Sequence, residues 1–187
     1  MDKNAIKKYA VWARNELIDR VSNRAEEYEV SAEADTKADS IKGVMLSETE
    51  KKQRAALIAK IKNVGFDQVM EEVAYTWFNR FIALRFMEVN DYLPSRIRVF
   101  TNEKNEFQPE ILSEALYLEL EGLDKAKVIS LLESNQTEEL YKYLLITQCN
   151  DLNTSLPEMF EKIQNYTELL FPNNLLKEGS VLSCMIS

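Results

Sequence analysis

Arg80 and Arg85 lie within AYTWFNRFIALRFMEVNDYLPS (Ala74–Ser95), where Tyr75, Trp77, Phe78, Phe81, Phe86 and Tyr92 surround them. A guanidinium in apolar company has two uses. It pairs with a carboxylate at helical reach, here Glu71, Glu72 or Glu88, while its stem packs on the rings. Alternatively it reaches a phosphate or an acidic partner. Arg96 and Arg98 follow on an alternating segment that places both on one side. A second basic group, Lys3, Lys7, Lys8, Arg14, Arg20 and Arg24, is interleaved with Tyr9 and Trp12. Surfaces of this kind bind nucleic acids by stacking bases on rings and holding phosphates with cations. The plainer alternative puts both rings in a core or interface and the lysines in water. The candidate nucleic-acid or partner contacts are therefore Lys7, Lys8, Arg14, Arg80, Arg85, Arg96 and Arg98.

Other chemistry is poorly supplied. The chain has no histidine, which removes the commonest general base and metal ligand. Ser-His-Asp and Cys-His catalysis are excluded with it. Cys149 and Cys184 alone cannot complete a zinc site. Gly43, Gly65, Gly122 and Gly179 are too far apart to cradle a phosphate. Nothing singles out one pair among the 31 carboxylates. No catalytic residue, cofactor-binding residue or metal ligand is assigned.

The elements that must position these residues read as an all-α fold: a helical bundle around a long, aromatic-rich central helix, with at most one short strand pair. Asp2 is placed to cap a helix over 3–28, whose apolar stripe is Ile6, Ala10, Ala13, Leu17, Val21 and Tyr28. Residues 29–46 are acidic and poor in large apolar groups, and read as a mobile loop. Ser47 and Glu50 form a capping box for a helix that ends before Gly65 and buries Leu57, Ile58 and Ile61. Asp67 would cap the central helix, which runs to about Asp91 and spans roughly 35 Å; Pro94 bars its continuation. Alternation over Ile97, Val99 and Thr101 suggests a short strand. Further helices are expected from Pro109 to Gly122, over 124–134, over 137–155 and from Pro157. A helical domain over 1–165 and a tail of short helical pieces over 166–187 complete the expected organisation.

Composition fits one domain of ordinary hydrophobicity. Four Gly and four Pro in 187 residues argue against an all-β chain. No apolar run approaches the ~18 residues a membrane span needs, and the first residues lack a signal-peptide core. Two distant cysteines fit free thiols in a reducing cytoplasm. The net charge of −8 hides an asymmetry: residues 1–24 carry six Lys/Arg against three Asp/Glu, residues 25–50 two against eight, residues 51–100 nine against five, and residues 101–187 six against 15. A phosphate backbone would be repelled by the acidic parts. Any nucleic-acid face belongs to residues 1–24 or 51–100.

Three words carry a resemblance to a known family: KNAIKKYAVWARNELIDRV (Lys3–Val21), AYTWFNRFIALRFMEVNDYLPSRIRVF (Ala74–Phe100) and ELYKYLLITQCNDLNTSLPEMFEKIQNYTELLFPNNLLKEGSV (Glu139–Val181). They resemble, in order and over nearly the whole chain, the N-terminal region of PglX, the adenine-specific DNA methyltransferases of BREX phage-defence systems. FNRFIALRFME also looks like helical segments ahead of the catalytic domain in related restriction–modification methyltransferases. The resemblance implies a helical domain preceding a catalytic domain that carries the methyl-donor loop and an Asn-Pro-Pro-Tyr motif. Neither is present here: the glycines are too sparse, and Phe171-Pro172-Asn173-Asn174 lacks the second proline and the final aromatic. The ending VLSCMIS departs from the family. The expectation is a cut or truncated piece, or an independent small relative.

No catalytic residue carries over, and the chain alone is expected to be inactive. For the full-length family protein the resemblance implies S-adenosylmethionine as cofactor and double-stranded DNA as partner, with an adenine flipped out for N6 methylation. Other defence-system proteins are possible partners; a membrane is not. The expected function is a non-catalytic N-terminal domain that supports the catalytic domain and engages DNA or a partner. The alternative is a free-standing module that binds a component of the defence system.

Overall fold

The computed structural model describes residues 2–162 and 165–187. Among them the chain forms α1 (Lys3–Glu27), β1 (Ser40–Ile41), β2 (Val44–Met45), α2 (Glu48–Val64), α3 (Phe66–Val89), α4 (Glu110–Ser113), α5 (Lys125–Glu133), α6 (Thr137–Leu152), α7 (Tyr166–Leu169) and α8 (Val181–Ile186). The fold is all-α apart from one antiparallel strand pair, as the helical periodicity predicts. Two compact units divide the chain: Met1–Phe78 with Gln164–Asn173, and Asn79–Ile163 with Asn174–Ser187.

In the first unit, Asp2 caps α1, its carboxylate accepting the Asn4 N–H at 2.9 Å. The buried stripe is Ala13, Leu17, Val21 and Ala25. Ile6 is exposed and Ala10 half-buried, so burial begins about two turns later than the apolar spacing predicts. The helix ends in a left-handed turn at Glu29 (φ 49°). There Val30 N–H reaches the Ala25 carbonyl and Glu29 N–H the Glu26 carbonyl, both at 3.0 Å, which satisfies carbonyls a helix end leaves open.

Residues 29–46, read above as a loop, carry the strand pair. Ser40 pairs with Met45 and Ile41 with Val44 across a two-residue turn, Lys42–Gly43, with φ 49° and 78°. Two positive φ values match the twist of a tight hairpin and favour glycine. Arg54 of α2 anchors the segment from below. Only 3% exposed, it donates Nε to the Tyr28 carbonyl at 2.8 Å, Nη2 to that of Glu29 at 3.0 Å and Nη1 to that of Asp35.

The Ser47–Glu50 capping box is present in full, and α2 stops at Gly65 (φ 95°). α3 starts one residue before the expected cap, so Asp67 stands in the first turn, where a carboxylate suits the positive helix end. The part of α3 in this unit buries Val69, Met70, Val73, Ala74 and Trp77. The Trp77 indole N–H donates to the Thr167 carbonyl at 3.1 Å. Its ring meets Phe171 edge-on, centroids 4.7 Å apart.

The second unit takes α3 from Asn79 onward, α4, α5, α6 and α8. Phe81, Leu84, Phe100, Ile111, Leu118, Tyr141, Leu144, Phe160 and Leu182 form its core. The expected strand over 97–101 is absent. Arg96 turns left-handed (φ 57°), and the following backbone bonds to side chains instead of a strand. Glu88 Oε1 accepts the N–H groups of Phe100 at 2.9 Å and Thr101 at 3.1 Å. Tyr141 donates its hydroxyl to the Val99 carbonyl at 2.8 Å.

The helix expected from Pro109 to Gly122 shrinks to α4. Glu114, its C-cap, has φ −94° and ψ 6°. Lys125 Nζ binds the carbonyls of Leu116, at 3.0 Å, and Leu118, groups a longer helix would engage in its own ladder. No helix forms after Pro157 up to Lys162. Turns there close on the Asn153 amide, which donates to the Phe160 carbonyl at 2.8 Å; residues 163 and 164 lie outside the described set. Of the expected tail, Tyr166–Asn173 belongs to the first unit and Asn174–Ser187 to the second.

Candidate functional site

The first turns of α1 combine cations, rings and exposure. Every residue from Asp2 to Lys8 is exposed. Lys3, Lys7 and Lys8 enter no ion pair among the described residues. Further along the same helix each arginine has a carboxylate: Arg14 with Glu71 at 3.3 Å, Arg20 with Glu16 at 2.8 Å, Arg24 with Glu27. Arg14 and Glu71 are both more than half exposed, so salt and water screen this pair and it holds weakly.

Trp12 remains 38% exposed beside Val11 at 65% and Ile6 at 43%. Its ring lies 6.1 Å from that of half-buried Tyr9, tilted at 48°. The N-terminal end of a helix also carries the positive end of its dipole. Uncommitted ammonium groups around partly exposed rings can hold phosphates and stack on a base, or clamp an acidic partner.

The other candidate cations are placed differently. Arg85 Nη1 bonds Glu88 Oε2 at 2.8 Å, and the Glu88 side chain is fully buried. Arg80 is 9% exposed and donates Nη2 to the Glu161 carbonyl at 2.9 Å; its Nε finds no acceptor among the described residues. Arg98 Nη1 bonds Asn105 at 2.8 Å and Thr101 at 3.3 Å. Arg96 is exposed on its left-handed turn. Arg96 and Arg98 therefore do not share a strand face, because no strand forms.

Arg54 escaped the sequence reading. A signal existed: position 54 precedes Leu57 and Ile58 by three and four residues, on the buried stripe of α2, where an arginine needs internal acceptors.

Among the described residues no three His, Cys, Asp or Glu side chains come close enough to hold a metal ion. Cys149 and Cys184 are free, the first buried and the second half-buried. Burial pushes the Cys149 thiol up to about 12, the Arg80 charge acting in the opposite sense. Such a thiol is a poor nucleophile. Among the described residues no helix is long and apolar enough to cross a membrane.

Comparison with known proteins gives the class first: the chain is similar to adenine-specific methyltransferases. Adenine-specific methyltransferase PglX of Lacticaseibacillus casei (strain Zhang) is 34% identical over 197 residues, covering 91% of this chain and 16% of that protein. Adenine-specific methyltransferase BrxX of Escherichia coli O9:H4 (strain HS) is 32% identical over 206 residues, covering 100% of this chain and 17% of that protein. The resemblance read from the three sequence words is thus a homology along the chain, which spans about a sixth of the length of these curated relatives. No protein-family model matches the chain.

Proposed function

We propose that this chain is a non-catalytic helical domain, N-terminal in its parent, of a site-specific DNA adenine-N6 methyltransferase of a BREX or restriction–modification defence system. It supports the catalytic domain and contributes contacts to DNA. The homology supports this reading: it runs along the chain yet takes up only 16–17% of proteins named adenine-specific methyltransferases. The chain lacks a donor loop and any histidine base, so the parent supplies S-adenosylmethionine binding and chemistry elsewhere, in the cytoplasm.

The observation that carries the DNA contact is the ion-pair-free set Lys3, Lys7 and Lys8 beside exposed Trp12. We assign this contact to Lys3, Lys7, Lys8 and Arg14 of the first unit, a separate phosphate contact to Arg96 of the second, and internal supporting roles to Arg80, Arg85 and Arg98. The purified chain should retain a labelled DNA duplex in a filter or polarisation assay at low salt, and transfer no methyl group from labelled S-adenosylmethionine to it. Methyl transfer by the chain alone would overturn the non-catalytic assignment. Absence of duplex binding at low salt would overturn the direct contact.

A free-standing interaction module is the second reading. Exposed Ile6 and Val11 among the lysines favour it, since apolar side chains gain little from a phosphate backbone and much from a protein partner.

A further inference from the structure

In the second unit the outward face of α3 carries no charge. From Asn79 to Asn90 the exposed residues are Asn79, Ile82, Phe86, Val89 and Asn90, spaced so that they line one side of the helix. The charged residues of that stretch are spent within the unit: Arg80 on the Glu161 carbonyl at 2.9 Å, and Arg85 on Glu88 at 2.8 Å, whose side chain is fully buried. In a chain with 29% charged residues, five exposed positions over three turns without one mark a face kept apolar rather than merely solvated.

The helix end extends this face. Asp91 turns left-handed (φ 54°), and Tyr92 N–H closes back on the Met87 carbonyl at 2.8 Å, with Leu93 buried beyond it. The Tyr92 ring thereby meets Phe86 edge-on, centroids 6.0 Å apart and planes at 63°. Ile82, Phe86, Val89 and Tyr92 are 39, 56, 51 and 60% exposed.

Charge and area select what covers it. A phosphate backbone finds no cation on these four side chains, and a charged peptide finds no counter-charge. Whole aromatic side chains present about 150–250 Å², so covering the four exposed portions buries roughly 800 Å² counting both sides. Separate chains that associate stably bury about 1,600 Å², so a second copy is held poorly. Domains of one polypeptide need only about 600–1,500 Å², because a tether keeps the partner at millimolar effective concentration. The homology takes up 16–17% of the relatives, and the rest of each of those polypeptides lies outside it.

We propose that the face formed by Ile82, Phe86, Val89 and Tyr92 seats an uncharged, apolar surface of the catalytic region of the same methyltransferase polypeptide. This rests on the reading of the chain as the N-terminal domain of such an enzyme, names the place where it supports the catalytic region, and uses none of the cations assigned to DNA.

The test uses the full-length parent enzyme with Phe86→p-benzoylphenylalanine, an apolar photo-cross-linker, and maps the cross-links by mass spectrometry. They should join position 86 to residues beyond 187 of the same polypeptide. In parallel, Phe86→Lys with Val89→Lys changes exposed side chains only, so the 187-residue chain carrying both should melt as the unsubstituted chain does. In the full-length enzyme the same pair should speed release of the domain by glutamyl endopeptidase, whose sites it leaves intact, about tenfold or more, since cleavage follows the undocked fraction. Cross-links confined to residues 1–187, cross-links between two polypeptides, no cross-link, or unchanged release would each overturn the proposal. A doubly substituted 187-residue chain that no longer folds would make the face part of the domain's own framework and overturn it too. A full-length enzyme that methylates adenine yet shows no such cross-link sinks the docking face alone, whereas one that methylates no adenine sinks the reading beneath it.

Discussion

In the first unit Lys3, Lys7 and Lys8 are exposed and pair with no carboxylate among the described residues, whereas in the second Arg80, Arg85 and Arg98 bond to a carbonyl, a buried carboxylate and loop side chains. The two groups looked alike in the sequence, as cations among aromatics. Burial separates them. A desolvated guanidinium must be hydrogen-bonded where it lies, so its removal costs stability. An exposed ammonium costs the fold almost nothing to lose and remains available to a ligand. The variants below break or sharpen that contrast, in descending order of expected effect.

Glu88→Ala strands the Arg85 guanidinium and the N–H groups of Phe100 and Thr101 in one step. Removing one partner of a buried pair costs about 3–5 kcal/mol, and chemical denaturation should show a loss of that size. A loss below about 1 kcal/mol, the scale of an exposed pair, would place Glu88 outside the supporting framework. Arg54→Met keeps the stem but leaves the carbonyls of Tyr28, Glu29 and Asp35 without their donor. The expected cost is about 2–3 kcal/mol, with amide exchange accelerated first over residues 28–46. Uniform acceleration would contradict a local anchoring role.

Alkaline pH probes the same burial. The native Cys149 thiol keeps its proton to about 12 against an ordinary 9.0, so the unfolded chain releases that proton first. The stabilisation is fully present below pH 9 and drains away as pH rises toward 12. Melting temperature against pH should fall more gently across that window in Cys149→Ala than in the parent, and parallel curves would contradict it. Smaller still is Gln148→Leu. Gln148 is fully buried and neither amide atom has a partner among the described residues, so an apolar replacement of similar volume should raise stability by about 1 kcal/mol. A loss instead would reveal a partner for that amide.

Legibility followed sequence distance. Asp2 as a cap, the Ser47–Glu50 box, the stop at Gly65 and the Arg85–Glu88 pair are decided within four residues, and each was readable. Long-range bonds were not. Alternation over 97–101 is genuine, yet Glu88 and Tyr141 take the backbone groups a neighbouring strand would have used. The apolar run after Pro109 has helical spacing, but Lys125 claims two of its carbonyls. The hairpin hid in an acidic stretch because Lys42–Gly43 is a weaker turn signal than Asn-Gly. For the candidate site, sequence supplied the cations but not which would be consumed internally, because the acceptors of Arg80 and Arg98 lie in distant or irregular segments.

The most direct measurement is the salt dependence of duplex DNA affinity for the parent chain and for a variant with Lys3, Lys7 and Lys8 all changed to alanine. Each phosphate contact contributes about 0.9 to the slope of log affinity against log salt. The slope should fall by about 2–3 in the variant, with melting temperature unchanged. An identical slope in the two proteins, or DNA affinity lost only when Glu88→Ala loosens the second unit, would contradict the assignment of the contact to the first turns of α1.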